Sequence, residues 1–196
     1  PKSSVWNSRT HIHMGLGYLA GALIAAGYDD VTLVEEQIEE EPLSSLLARE
    51  RYDLVGISSP TPLIYEAWEA AAQAKAQGAI TILGGPHLTL MPDESMERPE
   101  VDLVVRGEAE ETILEIVRAI ESTGQKGLKS GALRLPDGPW GEIQGLTYRN
   151  LAGKVVHNVP RARRQDIEGI PWPAYHLFKI ERYTNLQPLT DGLDRH

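Results

Sequence analysis

Ile80-Thr81-Ile82-Leu83-Gly84-Gly85-Pro86-His87 reads as a strand that ends by giving up its side chains on two successive residues. Apolar but for Thr81, it lacks the polar alternation of a half-exposed strand, so it belongs in a sheet buried on both faces, which means a parallel sheet. The same kind of run recurs at Asp53-Leu54-Val55-Gly56-Ile57-Ser58, at Asp102-Leu103-Val104-Val105, and at Val31-Thr32-Leu33-Val34. Helical patterns separate these runs, at residues 15–26, 42–50 and 63–77. Gly27 and Gly78 stand where helix C-caps favour glycine. A last helix carries Ile113, Ile116, Val117 and Ile120 at i, i+3, i+4 and i+7, one apolar stripe. Strands alternating with helices of that length predict an α/β fold, a Rossmann-like doubly wound parallel sheet of five strands. Its first strand would precede Gly15, where only Val5-Trp6 is apolar.

After Gly124 the pattern changes. A glycine- and proline-rich connection, "GLKSGALRLPDGPWGE", precedes two short β runs, 143–149 and 154–158, joined by Asn150-Leu151-Ala152-Gly153 as a hairpin. The tail holds Arg161, Arg163 and Arg164, then the proline-punctuated "IPWPAYHLF". The organisation expected is therefore an α/β domain over residues 1–124, with a small hairpin and irregular linker over 125–196.

Composition narrows the function. The chain has 196 residues, 41% hydrophobic and 24% charged, enough to bury a core without staples. It has no cysteine, which excludes disulfides, thiolate zinc sites and cysteine-held iron–sulfur clusters within these residues. A formal charge of −9 opposes sequence-independent nucleic-acid binding, which needs a basic face. No run reaches the ~20 apolar residues of a membrane span. A cytoplasmic protein, and a piece of something longer, is the expectation.

In open parallel sheets ligands bind outside the carboxyl ends of the strands. Three loops on that edge carry unusual residues. Ser58, Ser59 and Thr61 put three hydroxyls after one strand, although Thr61 before Pro62 would also cap the following helix. Gly84-Gly85 exceeds what a turn needs, and the second glycine suggests a flat group lying against the backbone. Pro86 and His87 follow, and a lone loop histidine is more often internally satisfied than a ligand or base. Arg106-Gly107-Glu108 leads into a helix whose first turn holds Glu110 and Glu111, where acidic residues suit the helix dipole.

The same chain offers a competing nucleotide site. Gly15-Leu16-Gly17-Tyr18-Leu19-Ala20 fits G-x-G-x-x-A, and Glu35 follows at about the distance of the NAD ribose partner. That fingerprint must directly follow a buried strand, and Arg9-Thr10-His11-Ile12-His13-Met14 is too polar to be one. Ser58-Ser59 stand where a response regulator would have its phosphoacceptor aspartate. The loop at Gly15 lacks the hydroxyls of a flavodoxin phosphate site.

Taken in order, several segments resemble the N-terminal cobalamin-binding domain of cobalamin-dependent radical SAM enzymes. They are 15–20, 52–58, Gly84-Gly85-Pro86-His87, 104–111, Gln144-Gly145-Leu146-Thr147-Tyr148-Arg149, and Asp166 with Ile170-Pro171-Trp172-Pro173-Ala174. Within that group "GYLAGALIAAGYDDV" and "TPLIYEA" look most like the anaerobic magnesium-protoporphyrin IX monomethyl ester oxidative cyclases. The resemblance implies that cobalamin is the cofactor, its nucleotide tail lying on Gly84 and Gly85. It also implies contacts from Ser58, Ser59, Thr61, Pro86 and His87, with Gly107 and Glu108 closing the pocket. The corrin would face residues 7–14, including His13 and Met14. Family members that ligate cobalt from below carry D-x-H-x-x-G. Here Met14 stands three after His11 and Leu16 three after His13, so neither fits and no metal ligand is expected. The CxxxCxxC of the radical SAM domain is missing. The resemblance therefore places the 4Fe-4S cluster and S-adenosylmethionine in a C-terminal domain outside these residues. That domain would be the chain's own partner, and the 196 residues alone would turn nothing over.

Overall fold

A computed structural model describes residues 12–123, 133–135, 137–166 and 168–183. The chain packs as two compact units, one formed by residues 43–170 and the other by residues 1–42 with 171–196.

The 43–170 unit holds a five-stranded sheet in the order β1-β2-β3-β4-β5. Helix α2 (Leu43–Arg49) leads into β1 (Leu54–Ser58), and a 3₁₀ turn (Thr61–Leu63) into α3 (Ile64–Ala76). Then come β2 (Ile80–Gly84), the short helices α4 (Pro86–Leu90) and α5 (Pro92–Met96), β3 (Leu103–Val105) and α6 (Glu110–Thr123). Strands β1, β2 and β3 are parallel, as their continuous apolar runs require, with Leu54 opposite Ile80 and Ile82 opposite Leu103. Gly78 closes α3 at φ +92°.

Two expectations are corrected. The hairpin β4 (Leu146–Arg149) and β5 (Val155–His157) does not follow the sheet but completes it, β4 lying antiparallel to β3 with Leu103 opposite Tyr148. The sheet thus has five strands, three parallel and two antiparallel. Every residue of β4 is buried, since it is an inner strand. The connection before it also contains a helix, α7 (Asp137–Glu142), whose Trp140 is fully buried.

One face of the sheet is packed by Ile64, Ala67, Trp68 and Ala71 of α3, with Leu88 and Met96, against Leu83 and Val104. Trp68 Nε1 donates to Ser95 Oγ at 2.8 Å, so the buried indole loses no hydrogen bond. At the amino ends of the strands, Asp102 accepts from Lys75 Nζ, from the Thr81 backbone N–H at 3.0 Å and from that of Leu133 at 2.9 Å. Arg149 sends its guanidinium into the carbonyls of Val101, Met96 and Arg98, fastening the hairpin to the loop before β3.

In the other unit, α1 (Met14–Ala25) is closed by Gly27 at φ +94°. Residues 31–34 are not a strand: the segment runs without a ladder partner among the described residues, half-buried at most positions. Its apolar residues carry β propensity, but a strand exists only through its neighbours. Val5-Trp6 lies outside the described residues.

Candidate functional site

The carboxyl ends of β1 and β2 are tied into one edge. Ser58 pairs with Gly84 as the last rung between the strands. Beyond it the Ser59 N–H donates to the Gly84 carbonyl at 3.0 Å, and the His87 N–H to the Ser59 carbonyl at 3.3 Å.

The two glycines divide the work. Gly85 has φ +99°, and a Cβ there would stand 2.9 Å from Ser58 Oγ and from the Ser59 nitrogen. The close approach of two chain segments and the left-handed backbone therefore account for it, with no bound group needed. Gly84 is different. A Cβ at Gly84 would meet only the Val105 carbonyl at 3.6 Å, and one at Gly56 would meet nothing within 4 Å. Strand alternation and the Ser58–Gly84 rung put Gly56, Ser58 and Gly84 on one face. That face ends at Gly84 and the exposed Ser58 in a shelf of open backbone, bordered by Ile82 opposite Gly56.

The three hydroxyls predicted on this edge are present but not equivalent. Ser58 is exposed, with no hydrogen bond from its hydroxyl within the described residues. Ser59 is buried and its hydroxyl donates to the Pro60 carbonyl at 3.0 Å. Thr61 is exposed, and its Oγ1 lies 3.1 Å from His87 Nδ1. Thr61 makes no side-chain cap; Pro60 is the N-cap of that turn. His87 itself is 4% exposed in the first turn of α4, with its Nε2 against Glu94 Oε1. Its Nδ1 is partnered by Thr61, whereas Nε2 is buried with the Glu94 carboxylate beside it and no other partner. Pro86, at the first position of α4, is exposed.

Gly107 and Glu108 adjoin the same edge. Thr89 Oγ1 donates to the Gly85 carbonyl at 3.0 Å and accepts from the Gly107 N–H at 3.0 Å, clamping two loops together. Gly107 has φ +80°, and Glu108 accepts from the Arg164 N–H at 3.2 Å. Arg106 points away, into the carbonyls of Asn158 and Leu146, and burial lowers its pKa, partly offset by Asp93. A hollow lined by Glu108, Glu110, Glu111, Arg161, Arg164 and Ile170 lies beside the start of α6. Its charges already pair with one another, Arg161 with Glu111 and Glu115, Arg164 with Glu111. The shelf is the freer surface.

Sequence inspection missed Thr89 and Glu94. Thr89 carried a signal, a hydroxyl four residues after a glycine that opens a helix, placed to bond the i−4 carbonyl. Glu94 carried none, since its meeting with His87 depends on how two short helices fold back.

In the second unit, the exposed His13 is the N-cap of α1, and its N–H donates to Glu35 Oε1 at 3.0 Å. Met14 opens the helix, half-buried. Glu35 is buried; desolvation raises its pKa, while the His13 N–H lowers it in part. Two of the glycines of α1, Gly17 and Gly21, are explained by the tail. A Cβ at Gly17 would meet the Phe178 ring at 2.8 Å, and one at Gly21 the Trp172 carbonyl at 2.2 Å. The Ala174 N–H donates to the Gly17 carbonyl at 2.9 Å. Gly17 is therefore small for the chain's own 172–178 segment, not for packing on the sheet and not for a pyrophosphate. Nucleotide binding through Gly15, Gly17 and Ala20 finds no support here. His11 lies outside the described residues.

The family described as "B12 binding domain" matches residues 8–117. The chain is 33% identical over 176 residues to "Uncharacterized methyltransferase PH0819" of Pyrococcus horikoshii, covering 87% of this chain and 35% of that protein. It is 30% identical over 174 residues to the anaerobic magnesium-protoporphyrin IX monomethyl ester cyclase of Rubrivivax gelatinosus, covering 86% and 29%. The chain thus spans about a third of the length of these curated relatives. Among solved structures, the cobalamin-dependent S-adenosylmethionine radical enzyme OxsB, with aqua-cobalamin and S-adenosylmethionine bound, superposes with a TM-score of 0.66. At 20% identity, over 89% of this chain and 23% of that one, it shares the fold.

Proposed function

Because this chain belongs to the B12-binding domain family, we propose that it holds cobalamin at the carboxyl edge of β1 and β2, as the cofactor-binding part of a longer cobalamin-dependent radical SAM enzyme. The observation that carries this is the shelf at Gly56, Ser58 and Gly84. Its end at Gly84 is open backbone, where a flat aromatic base can lie beside Ser58 without displacing a side chain. Beside it, Ser58 offers a free hydroxyl proton, while Thr61 and the Gly107–Glu108 loop border the site. Donors, acceptors and room fit the nucleotide tail of cobalamin. Gly85, Pro86 and His87 shape the edge from behind.

Bound cobalamin would supply a cobalt centre that carries a methyl group or cycles between oxidation states. The chain's own residues bind and orient the tail and keep the edge rigid. Towards cobalt, His13 and Met14 are assigned by the resemblance alone, and the D-x-H-x-x-G spacing predicts no histidine below the metal. No group of three or more His, Cys, Asp or Glu that could hold a metal occurs among the described residues. The parent reaction, a ring-forming oxidation or a methyl transfer, would use the 4Fe-4S cluster and S-adenosylmethionine of a C-terminal domain. The segment after the hairpin would lead towards that domain. No helix among the described residues is long and apolar enough to cross a membrane, and a cytoplasmic setting suits a B12 enzyme of this kind.

The test is direct. The chain is mixed with hydroxocobalamin, desalted, and its absorbance spectrum recorded. Retained corrin bands in stoichiometric amount are expected, and a spectrum free of corrin would overturn the proposal. Electron paramagnetic resonance of the cob(II)alamin form should lack the nitrogen splitting that an axial histidine gives.

A further inference from the structure

We infer that His87 is a positioning residue, held by Glu94, that fixes the hydrogen-bond polarity of Thr61, so that Thr61 meets its ligand only as an acceptor. The inference rests on the edge of β1 and β2 being the cobalamin site. The imidazole is buried between two groups on opposite sides of the ring: Thr61 Oγ1 lies 3.1 Å from Nδ1, and Glu94 Oε1 faces Nε2. His87 Nε2 and Glu94 Oε1 are both buried without a hydrogen-bond partner elsewhere, and the close approach of the two leaves each only the other to pair with. A neutral imidazole carries one N–H, and an ionised carboxylate can only accept. In the neutral ring the proton therefore sits on Nε2, and Nδ1 is a bare lone pair. Nδ1 can engage Thr61 only by accepting, so the single hydroxyl proton of Thr61 points inward.

What Thr61 shows to solvent is then a pair of oxygen lone pairs. Its partner must bring an N–H or O–H, as an amide or a sugar hydroxyl does. It cannot be an aromatic nitrogen or a phosphate oxygen. Cobalamin has such donors in its carboxamide arms and its ribose. Ser59 is committed in the same way, its proton spent on the Pro60 carbonyl. That leaves Ser58 as the hydroxyl able to donate. The edge thus sorts the groups of its ligand by polarity, and His87 sets the sign at Thr61.

The tautomer is read first, without cobalamin, from a long-range proton–nitrogen correlation spectrum of the histidine rings. The spectrum should show His87 protonated at Nε2 and bare at Nδ1, with that bias lost in Glu94→Leu. A ring protonated at Nδ1 overturns the inference whatever the ligand. Cobalamin affinity is then measured for Thr61→Val, for His87→Phe, which fills the same space but offers Thr61 no acceptor, and for the double variant. Each single change should weaken binding roughly five- to tenfold, the value of one hydrogen bond, and the double no more than either. Losses that multiply would mean that His87 acts independently of Thr61 and would overturn the inference. If the unsubstituted chain binds no cobalamin, the site assignment fails, and the tautomer still judges the geometry at His87.

Discussion

The ammonium of Lys75 lies 2.5 Å from both carboxylate oxygens of Asp102, and both side chains are buried. The pair sits at the amino ends of the strands, away from the cofactor edge, and locks the last turn of α3 to the start of β3. Asp102 also takes the backbone N–H groups of Thr81 and Leu133, so it organises three chain segments.

Asp102→Ala should therefore destabilise the protein by about 3–5 kcal/mol, because it leaves an uncompensated buried ammonium. The double change of Lys75→Met with Asp102→Leu should recover part of that loss. Urea unfolding of the two variants beside the parent measures it, and a single change that costs less than ~1 kcal/mol would count against the pair's structural role.

Gly84 and Gly85 should part company on substitution. Gly85→Ala forces a Cβ into the Ser58–Ser59 backbone at positive φ and should cost about 1–3 kcal/mol of stability. Gly84→Val finds room in the shelf and should leave stability within ~0.5 kcal/mol. It should weaken cobalamin at least about tenfold through a clash of ~1.4 kcal/mol or more. Thermal melts and cobalamin titrations separate the two. A Gly84→Val chain that binds as tightly as its parent would move the site elsewhere.

Much of this edge was legible beforehand, and the misses share a cause. The runs 53–58, 80–83 and 102–105 each hold three or more nearly consecutive apolar residues and end at serine, glycine or arginine, so their local chemistry names them. The hairpin's turn residues named it as well, but no local signal says that Tyr148 will pair with Leu103. Residues 31–34 have the composition of a strand and lack the partner. Gly85 was read as room for a ligand because a clash with Ser59, 26 positions away, leaves no trace in the sequence around it.

Two glycines of α1 should behave oppositely. Gly21→Ala puts a methyl group 2.2 Å from the Trp172 carbonyl and should lift the tail from the helix, at a cost of about 1–3 kcal/mol. Gly15→Ala meets nothing within 4 Å and should stabilise by ~0.5–1 kcal/mol through helix propensity. Proteolysis near residues 172–178, faster in the first and unchanged in the second, is the readout.

Glu35 should give its unit a distinct pH dependence. Desolvation raises its folded-state pKa above the ordinary 4.5. Its contribution to stability is therefore complete below that ordinary value and is lost as pH rises through the folded one. Glu35→Gln keeps a carbonyl to accept the His13 N–H and cannot ionise. The variant should lose that decline with rising pH and be the more stable of the two at pH 8. Urea midpoints measured from acid to mildly alkaline pH would show parallel curves if the prediction is wrong.

The inner position of β4 bears on how small this cofactor module can be cut. The family match ends at residue 117, and a recombinant boundary drawn there would delete the hairpin. Leu103-Val104-Val105 would then become an open sheet margin, three apolar residues with a row of unpaired amides and carbonyls, a template for another molecule's strand. Such a truncation should self-associate as it folds, and the shortest well-behaved polypeptide must run at least through Asn158, whose N–H closes on the Leu146 carbonyl at 3.0 Å.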